Sequence, residues 1–143
     1  MKKKILITGG AGFLSQNLFI YLKDYFKLYL TFNNSKPKIS KEFYVKCNLE
    51  NFLQIKKTVE IIKPDYIINT AGLTDVEKCE LNKNKAYNQN VNIIVNLCNL
   101  CKKYNIKLIH ISTDHIFDGK KSFYSENDKA FPLNRYAKTK FIA

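Results

Sequence analysis

Arginine is almost absent from this chain. Of its 24 basic residues only Arg135 is an arginine, and the lysines are spread along the sequence rather than clustered. The formal net charge of +12 raises the question of a nucleic-acid partner. Proteins that read nucleic acids concentrate their charge and use arginine forks on phosphates and base edges. A dispersed, lysine-rich surface without them is a solvated surface, and no nucleic-acid partner is expected. Long apolar runs are also lacking. None approaches the roughly 20 residues that span a bilayer. The start at Met1-Lys2-Lys3-Lys4 has the charge of a secretion signal, but Thr8, Gly9 and Gly10 cut the apolar stretch that follows, and no small-residue cleavage site comes after it. The expectation is a cytoplasmic protein without a membrane partner. There are only four cysteines, and without a secretory signal disulfides are not expected. Cys98-Asn99-Leu100-Cys101 has CxxC spacing, yet a zinc site needs a second ligand pair and none is suitably spaced, so no metal is expected. Tyr87, Val91, Ile94, Cys98 and Cys101 recur on one helical face, which predicts buried free thiols.

What is present points to an α/β domain. A chain of 143 residues that is 45% hydrophobic can bury one substantial core. Lys4 to Thr8 reads as a strand ending in a glycine-rich turn. Leu14, Leu18, Tyr21, Leu22 and Tyr25 then repeat at helical spacing. A second strand is predicted over Leu28 to Phe32, a loop over Asn33 to Pro37, and a short strand over Phe43 to Val45. Phe52, Ile55, Val59 and Ile62 mark an amphipathic helix closed by Lys63-Pro64, and a fourth strand begins at Tyr66. Thr74-Asp75-Val76-Glu77 has the form of a capping box. It opens helical sequence running to about Tyr104, with a break near Asn82 to Asn84. A fifth strand covers Lys107 to Ser112. A polar loop follows from Asp118 to about Leu133, and Asn134 can cap a last helix from Arg135. Strands alternating with helices mean βαβ units and a parallel sheet with right-handed crossovers. Neither repeats nor a domain boundary is visible. The whole span, 1–143, reads as one Rossmann-type, doubly wound dinucleotide-binding domain.

Two motifs carry chemistry. The first is Thr8-Gly9-Gly10-Ala11-Gly12, between the first strand and the first helix. Gly9 allows a sharp turn, Gly12 allows the backbone to approach a pyrophosphate, and the N–H groups of Phe13 and Leu14 face the anion along the helix dipole. Ser15 takes the third small position of the pattern, where weaker helix–sheet packing is expected rather than lost binding. The second strand ends Thr31-Phe32-Asn33-Asn34, without the carboxylate that would hold the ribose of NAD. With Ser35, Lys36 and Lys38 nearby, this favours NADP(H) over NAD(H). The second motif is Tyr136-Ala137-Lys138-Thr139-Lys140, which puts Tyr136 and Lys140 on one helical face. An ammonium beside a phenol favours the phenolate, which suits the pair to proton exchange with a carbonyl or alcohol. Ser112-Thr113-Asp114 stands at the end of the fifth strand, where Thr113 can hydrogen-bond the same reacting oxygen.

These segments, with Asn69-Thr70-Ala71-Gly72, Ile109 through Gly119 and Pro132 through Lys140, resemble the extended short-chain dehydrogenases/reductases, and specifically the dTDP-4-dehydrorhamnose reductases. The resemblance covers the whole chain but only the amino-terminal half of that family's fold. It implies hydride transfer from a nicotinamide to C4 of a dTDP-4-keto-hexose, for dTDP-rhamnose or surface polysaccharide synthesis. Tyr136 would supply the proton. Lys140 would tune Tyr136 and bind the nicotinamide ribose. Thr113 would hold the reacting oxygen, with Asp114 beside it in the substrate pocket. The resemblance also implies cofactor contacts at Gly9, Gly12, Phe13, Leu14, Asn33, Asn48, Leu49, Ala71, Gly72 and Leu73. His115 stands where the family usually has tyrosine and Leu73 where histidine is common; His115 is expected to replace tyrosine by packing or hydrogen bonding. The resemblance leaves two alternatives. One is a non-catalytic NADP-binding regulatory partner, like the regulatory subunit of methionine adenosyltransferase. The other is a nucleotide-sugar epimerase or dehydratase of the same fold. The resemblance implies that the family's small carboxyl-terminal substrate-binding domain is not covered by these residues. An incomplete domain with an uncovered fifth strand and a short last helix is expected to be inactive and aggregation-prone alone. The full-length protein is expected to be an enzyme that takes a nucleotide-sugar substrate and could form a homodimer.

Overall fold

A computed structural model describes residues 2–36 and 43–143. Pro37 and Lys38, named above for the loop and for the cofactor phosphate, lie outside the described residues. The chain divides into two compact units, Met1–Ala71 with Ile93–Ile111 and Gly72–Asn92 with Ser112–Ala143. No described helix is long and apolar enough to cross a membrane.

The first unit is a parallel sheet. Its strands are β1 (Lys4–Thr8), β2 (Lys27–Phe32), β3 (Tyr44–Lys46), β4 (Tyr66–Asn69) and β5 (Lys107–His110), in the order β3-β2-β1-β4-β5. Ile7 pairs with Leu30 on one side and with Ile68 on the other. Successive side chains point to opposite faces, so β1, β2, β3 and β4 each feed two cores. One core contains Ile5, Ile7, Leu28, Leu30 and Ile68, covered by Phe19 of α1 (Phe13–Leu22). The other contains Leu6 and Ile67, covered by Ile55, Val59 and Ile62 of α2 (Phe52–Ile62) and by Leu97, Leu100 and Cys101 of α5 (Ile93–Tyr104). Helices on both faces and this strand order are the doubly wound Rossmann arrangement that the alternating pattern predicts. Asn51 caps α2, accepting from Gln54 N–H, and Lys63 ends it with a left-handed backbone (φ 50).

Several local readings are corrected. In α1 the buried residues are Ser15 and Phe19, with Leu18 and Leu22 partly buried; Tyr21 is 76% exposed and Tyr25 73%. Tyr21 lies off the face that Ser15 and Phe19 bury, Tyr25 lies beyond the end of α1, and Leu14 in its first turn is also exposed. The α5 thiols are also split. Cys101 is buried as expected, but Cys98 is exposed. Residues Asn88–Asn92 form a π-turn before α5. The buried face of α5 runs through Ile93, Ile94, Leu97, Leu100 and Cys101, centred on Leu97, and Cys98 lies one helical position, about 100°, off that centre. The fifth strand is shorter than predicted, ending at His110. It is the edge strand of the described sheet; Ile109 within it and Ile111 just after it are exposed.

The second unit is helical and looped. It contains α3 (Val76–Leu81), α4 (Lys83–Tyr87), the π-turn, a short 3₁₀ turn at Asp114–Ile116 and α6 (Arg135–Ile142). Asp75, not Thr74, caps α3: its carboxylate accepts from Lys78 N–H at 3.0 Å. The capping box thus gives way to a cap one residue later, and Lys78 also pairs with Asp75 at 2.9 Å. The predicted break falls at Asn82, which leaves helical geometry and caps α4 through Lys85 N–H.

Candidate active site

The glycine turn is built on the end of β1. Gly9 takes φ +68, a conformation that glycine adopts at no steric cost. Gly10 N–H donates to Thr31 O at 2.7 Å. A Cβ on Gly10 would lie 2.7 Å from Leu30 Cβ and 2.8 Å from Thr31 O, so only glycine fits beside β2. Gly12 N–H donates to Gly9 O at 2.9 Å, and Gly12 is the N-cap of α1 without a capping side chain. The first helical N–H groups, including those of Phe13 and Leu14, have no acceptor within the helix. A turn that brings backbone close and leaves those donors uncapped fits an anionic phosphate. Ser15 does more than the pattern suggests. It is fully buried, and its Oγ lies 2.8 Å from the carbonyl oxygens of both Gly9 and Gly12. Its hydroxyl braces the turn, which a glycine or alanine there would not do.

The carboxyl ends of three neighbouring strands are tied by side chains. Thr8 Oγ1 donates to Asn69 Oδ1, and Asn69 Nδ2 lies 3.0 Å from His110 Nδ1. Thr70 Oγ1 donates to Thr8 O at 2.6 Å, and Ala71 lies against Gly9. Asn69 is 2% exposed, and this network holds the strand ends that carry the turn. After β2, Asn33, Ser35 and Lys36 are exposed, and no carboxylate stands between Thr31 and Lys36. Asn48 is half-buried: its N–H donates to Gln54 Oε1 and its Oδ1 accepts from Glu50 N–H. Leu49 packs against the core that contains Leu6.

The second unit holds Gly72, Leu73, Thr113, Asp114, Tyr136 and Lys140. Asn134 caps α6 as expected, accepting from Ala137 N–H at 2.8 Å. This starts a helix that carries Tyr136 and Lys140 one turn apart. Tyr136 is 9% exposed and packs with Cys79, Ala86, Leu73 and Val76. The His115 ring meets the Tyr136 ring edge-on, with centroids 5.7 Å apart and planes at 73°. Thr113 Oγ1 accepts from His115 N–H and donates to Asp114 Oδ1, both at 3.2 Å. Burial pushes the Lys140 ammonium below the ordinary lysine range. Ser112, Thr113 and Asp114 also line a cavity of about 710 Å³ with Phe117, Tyr124 and Phe141. Among the described residues no group of three or more metal-ligating side chains converges.

Asn90 is the residue that sequence reasoning missed. It lies in the π-turn, 2% exposed. Its Oδ1 accepts from Leu73 N–H at 2.7 Å, and its Nδ2 reaches Leu73 O at 3.0 Å and Thr139 Oγ1 at 2.9 Å. Thr139 Oγ1 in turn donates to Tyr136 O at 2.8 Å. One amide thus fixes both the Leu73 segment and the helix of Tyr136. The available signal was an asparagine inside an otherwise apolar helical face.

The fold is a doubly wound α/β arrangement of the Rossmann type, and α6 carries Tyr136 and Lys140 one turn apart. The RmlD substrate binding domain family model matches residues 2–143, and the chain belongs to that family, the dTDP-4-dehydrorhamnose reductase family. It is 32% identical over 138 residues to a dTDP-4-dehydrorhamnose reductase of Aggregatibacter actinomycetemcomitans, covering 96% of this chain and 44% of that protein. It is 31% identical over 140 residues to methionine adenosyltransferase 2 subunit beta of Danio rerio, covering 96% and 41%. The crystal structure of a Bacillus anthracis dTDP-4-dehydrorhamnose reductase in complex with NADP superposes with a TM-score of 0.84 at 28% identity, covering 99% of this chain and 48% of that one. The chain spans less than half the length of these relatives.

Proposed function

We propose that the protein to which this chain belongs reduces a nucleotide-linked 4-keto-6-deoxy sugar with a nicotinamide cofactor, in dTDP-rhamnose or surface polysaccharide synthesis. The observation that carries this reading is the Tyr136–Lys140 pair on a capped helix, in one compact unit with the Thr113 hydroxyl. Gly9, Gly12 and the first N–H groups of α1 would hold the cofactor pyrophosphate. Asn33, Asn48, Leu49, Ala71, Gly72 and Leu73 would line the rest of the cofactor. When bound, NAD(P)H supplies the hydride. Tyr136 gives its phenolic proton to the sugar oxygen that becomes an alcohol, Thr113 donates a hydrogen bond to that oxygen, and Lys140, one helical turn from Tyr136, would bind the nicotinamide ribose. Asp114 stands beside Thr113 to accept from a sugar hydroxyl.

NADP(H) is the favoured cofactor, because Lys36 follows β2 and no acid stands between Thr31 and Lys36. The NADP complex of the Bacillus anthracis relative supports the same choice. The test is oxidation of NADPH and of NADH by the full-length protein, with and without dTDP-4-dehydro-6-deoxy-L-mannose. Keto-sugar-dependent oxidation with NADPH preferred is expected; cofactor binding without turnover of any keto-sugar nucleotide sinks the reading. The similarity to methionine adenosyltransferase 2 subunit beta favours a second reading, a cofactor-binding regulatory partner. A stable complex with another enzyme and no hydride transfer would select it.

A further inference from the structure

We propose that His115 is a positioning residue for Tyr136, acting by ring contact and not by proton transfer. The inference rests on the reading of Tyr136 as the proton donor. Tyr136 packs with the aliphatic and thiol side chains of Leu73, Val76, Cys79 and Ala86. Such a wall excludes water but sets no preferred ring angle. His115 supplies the aromatic contact, at 5.7 Å and 73°, within the edge-to-face geometry that aromatic quadrupoles prefer. The same residue fixes the second reacting side chain, since His115 N–H donates to Thr113 Oγ1 at 3.2 Å. Both contacts come from the single turn Asp114–Ile116, whose closing bond is Phe117 N–H to Asp114 O at 2.9 Å. Phe131 N–H, donating to Ile116 O at 2.8 Å, anchors this turn to the end of the polar loop. His115 therefore couples the orientation of the phenol to the position of the threonine hydroxyl: its backbone serves one and its ring the other. The backbone bond survives any substitution except proline, so a side-chain variant isolates the ring contact. An aromatic ring of similar breadth should do the same work without a titratable nitrogen.

The test compares His115→Phe, His115→Tyr and His115→Ala in the full-length protein. Two readouts are used: steady-state kinetics against pH, and NMR relaxation of the Tyr136 ring in selectively labelled protein. His115→Phe and His115→Tyr should keep kcat within about threefold of the parent and leave the pH profile in place. His115→Ala should lower kcat by about five- to tenfold, the size of one aromatic contact, with KM for NADPH unchanged. The Tyr136 ring should become more mobile in His115→Ala and return to parent order in His115→Phe. Equal loss in His115→Phe and His115→Ala would assign the role to the imidazole nitrogens and overturn the proposal, as would an unchanged Tyr136 ring in His115→Ala. The NMR arm needs no turnover. If no keto-sugar is reduced by the parent, the functional reading fails while ring relaxation still decides the role of His115.

Discussion

Lys140 and Gly10 show how single residues of the site trade stability against chemistry. Burial lowers the Lys140 ammonium below the ordinary lysine value of 10.5, so the folded chain gives up that proton more readily than the unfolded chain. Between the folded and unfolded values the unfolded state binds more protons, and stability rises with pH. Below the folded value the cost of the buried charge is fully present. Urea unfolding of the cofactor-free protein should therefore show a rise in stability as pH approaches 10.5 that is absent in Lys140→Met. That variant should also lose activity. An identical pH dependence in both proteins would contradict this. At Gly10 the expectation is opposite: Gly10→Ala drives a methyl into Leu30 and Thr31 and should cost about 1–3 kcal/mol in equilibrium unfolding. The glycine turn was legible in the sequence because its residue types have few other uses between a strand and a helix. The individual roles were not. Gly10 and Ser15 serve the packing of turn against strand and helix, and which carbonyl a hydroxyl meets depends on neighbours distant in sequence.

Among the elements, α6 and the π-turn carry the proposed catalytic arrangement. Asn134 as a cap was readable, since an asparagine before a helical run has a local use. Asn90 was not, because its three partnered atoms lie 17 and 49 positions away. Asn90→Ala strips a buried donor from Thr139 Oγ1 and leaves Leu73 N–H without its acceptor. It should cost about 2–3 kcal/mol of stability by chemical denaturation. It should also lower activity through Tyr136, with kcat falling more than KM for the cofactor rises. A loss confined to stability would limit Asn90 to a scaffold role. Helix phase is the other element-scale lesson. Tyr21 and Tyr25 satisfied the period and proved exposed, and in α5 the buried face centres on Leu97, which takes in Cys101 and leaves Cys98 outside. Periodicity located the helices correctly, but the buried side was set by the sheet they cover.

For the whole molecule, alternation of strand and helix was enough to give the parallel, doubly wound Rossmann sheet, because right-handed crossovers leave few arrangements for these elements; the order β3-β2-β1-β4-β5 comes from the structure. Its division into two compact units was not visible, since the chain passes between them at Ala71–Gly72, Asn92–Ile93 and Ile111–Ser112, and the middle passage lies inside continuous helical sequence. The sheet unit carries the glycine turn, and the second unit carries Thr113, Tyr136 and Lys140. The most direct test of the central claim is NADPH oxidation by the full-length protein with dTDP-4-dehydro-6-deoxy-L-mannose, parent against Tyr136→Phe. The account predicts turnover by the parent and a loss of about 10²–10⁴-fold in kcat for the variant, with NADPH binding retained. Absence of turnover in the parent, or full activity in Tyr136→Phe, would contradict it.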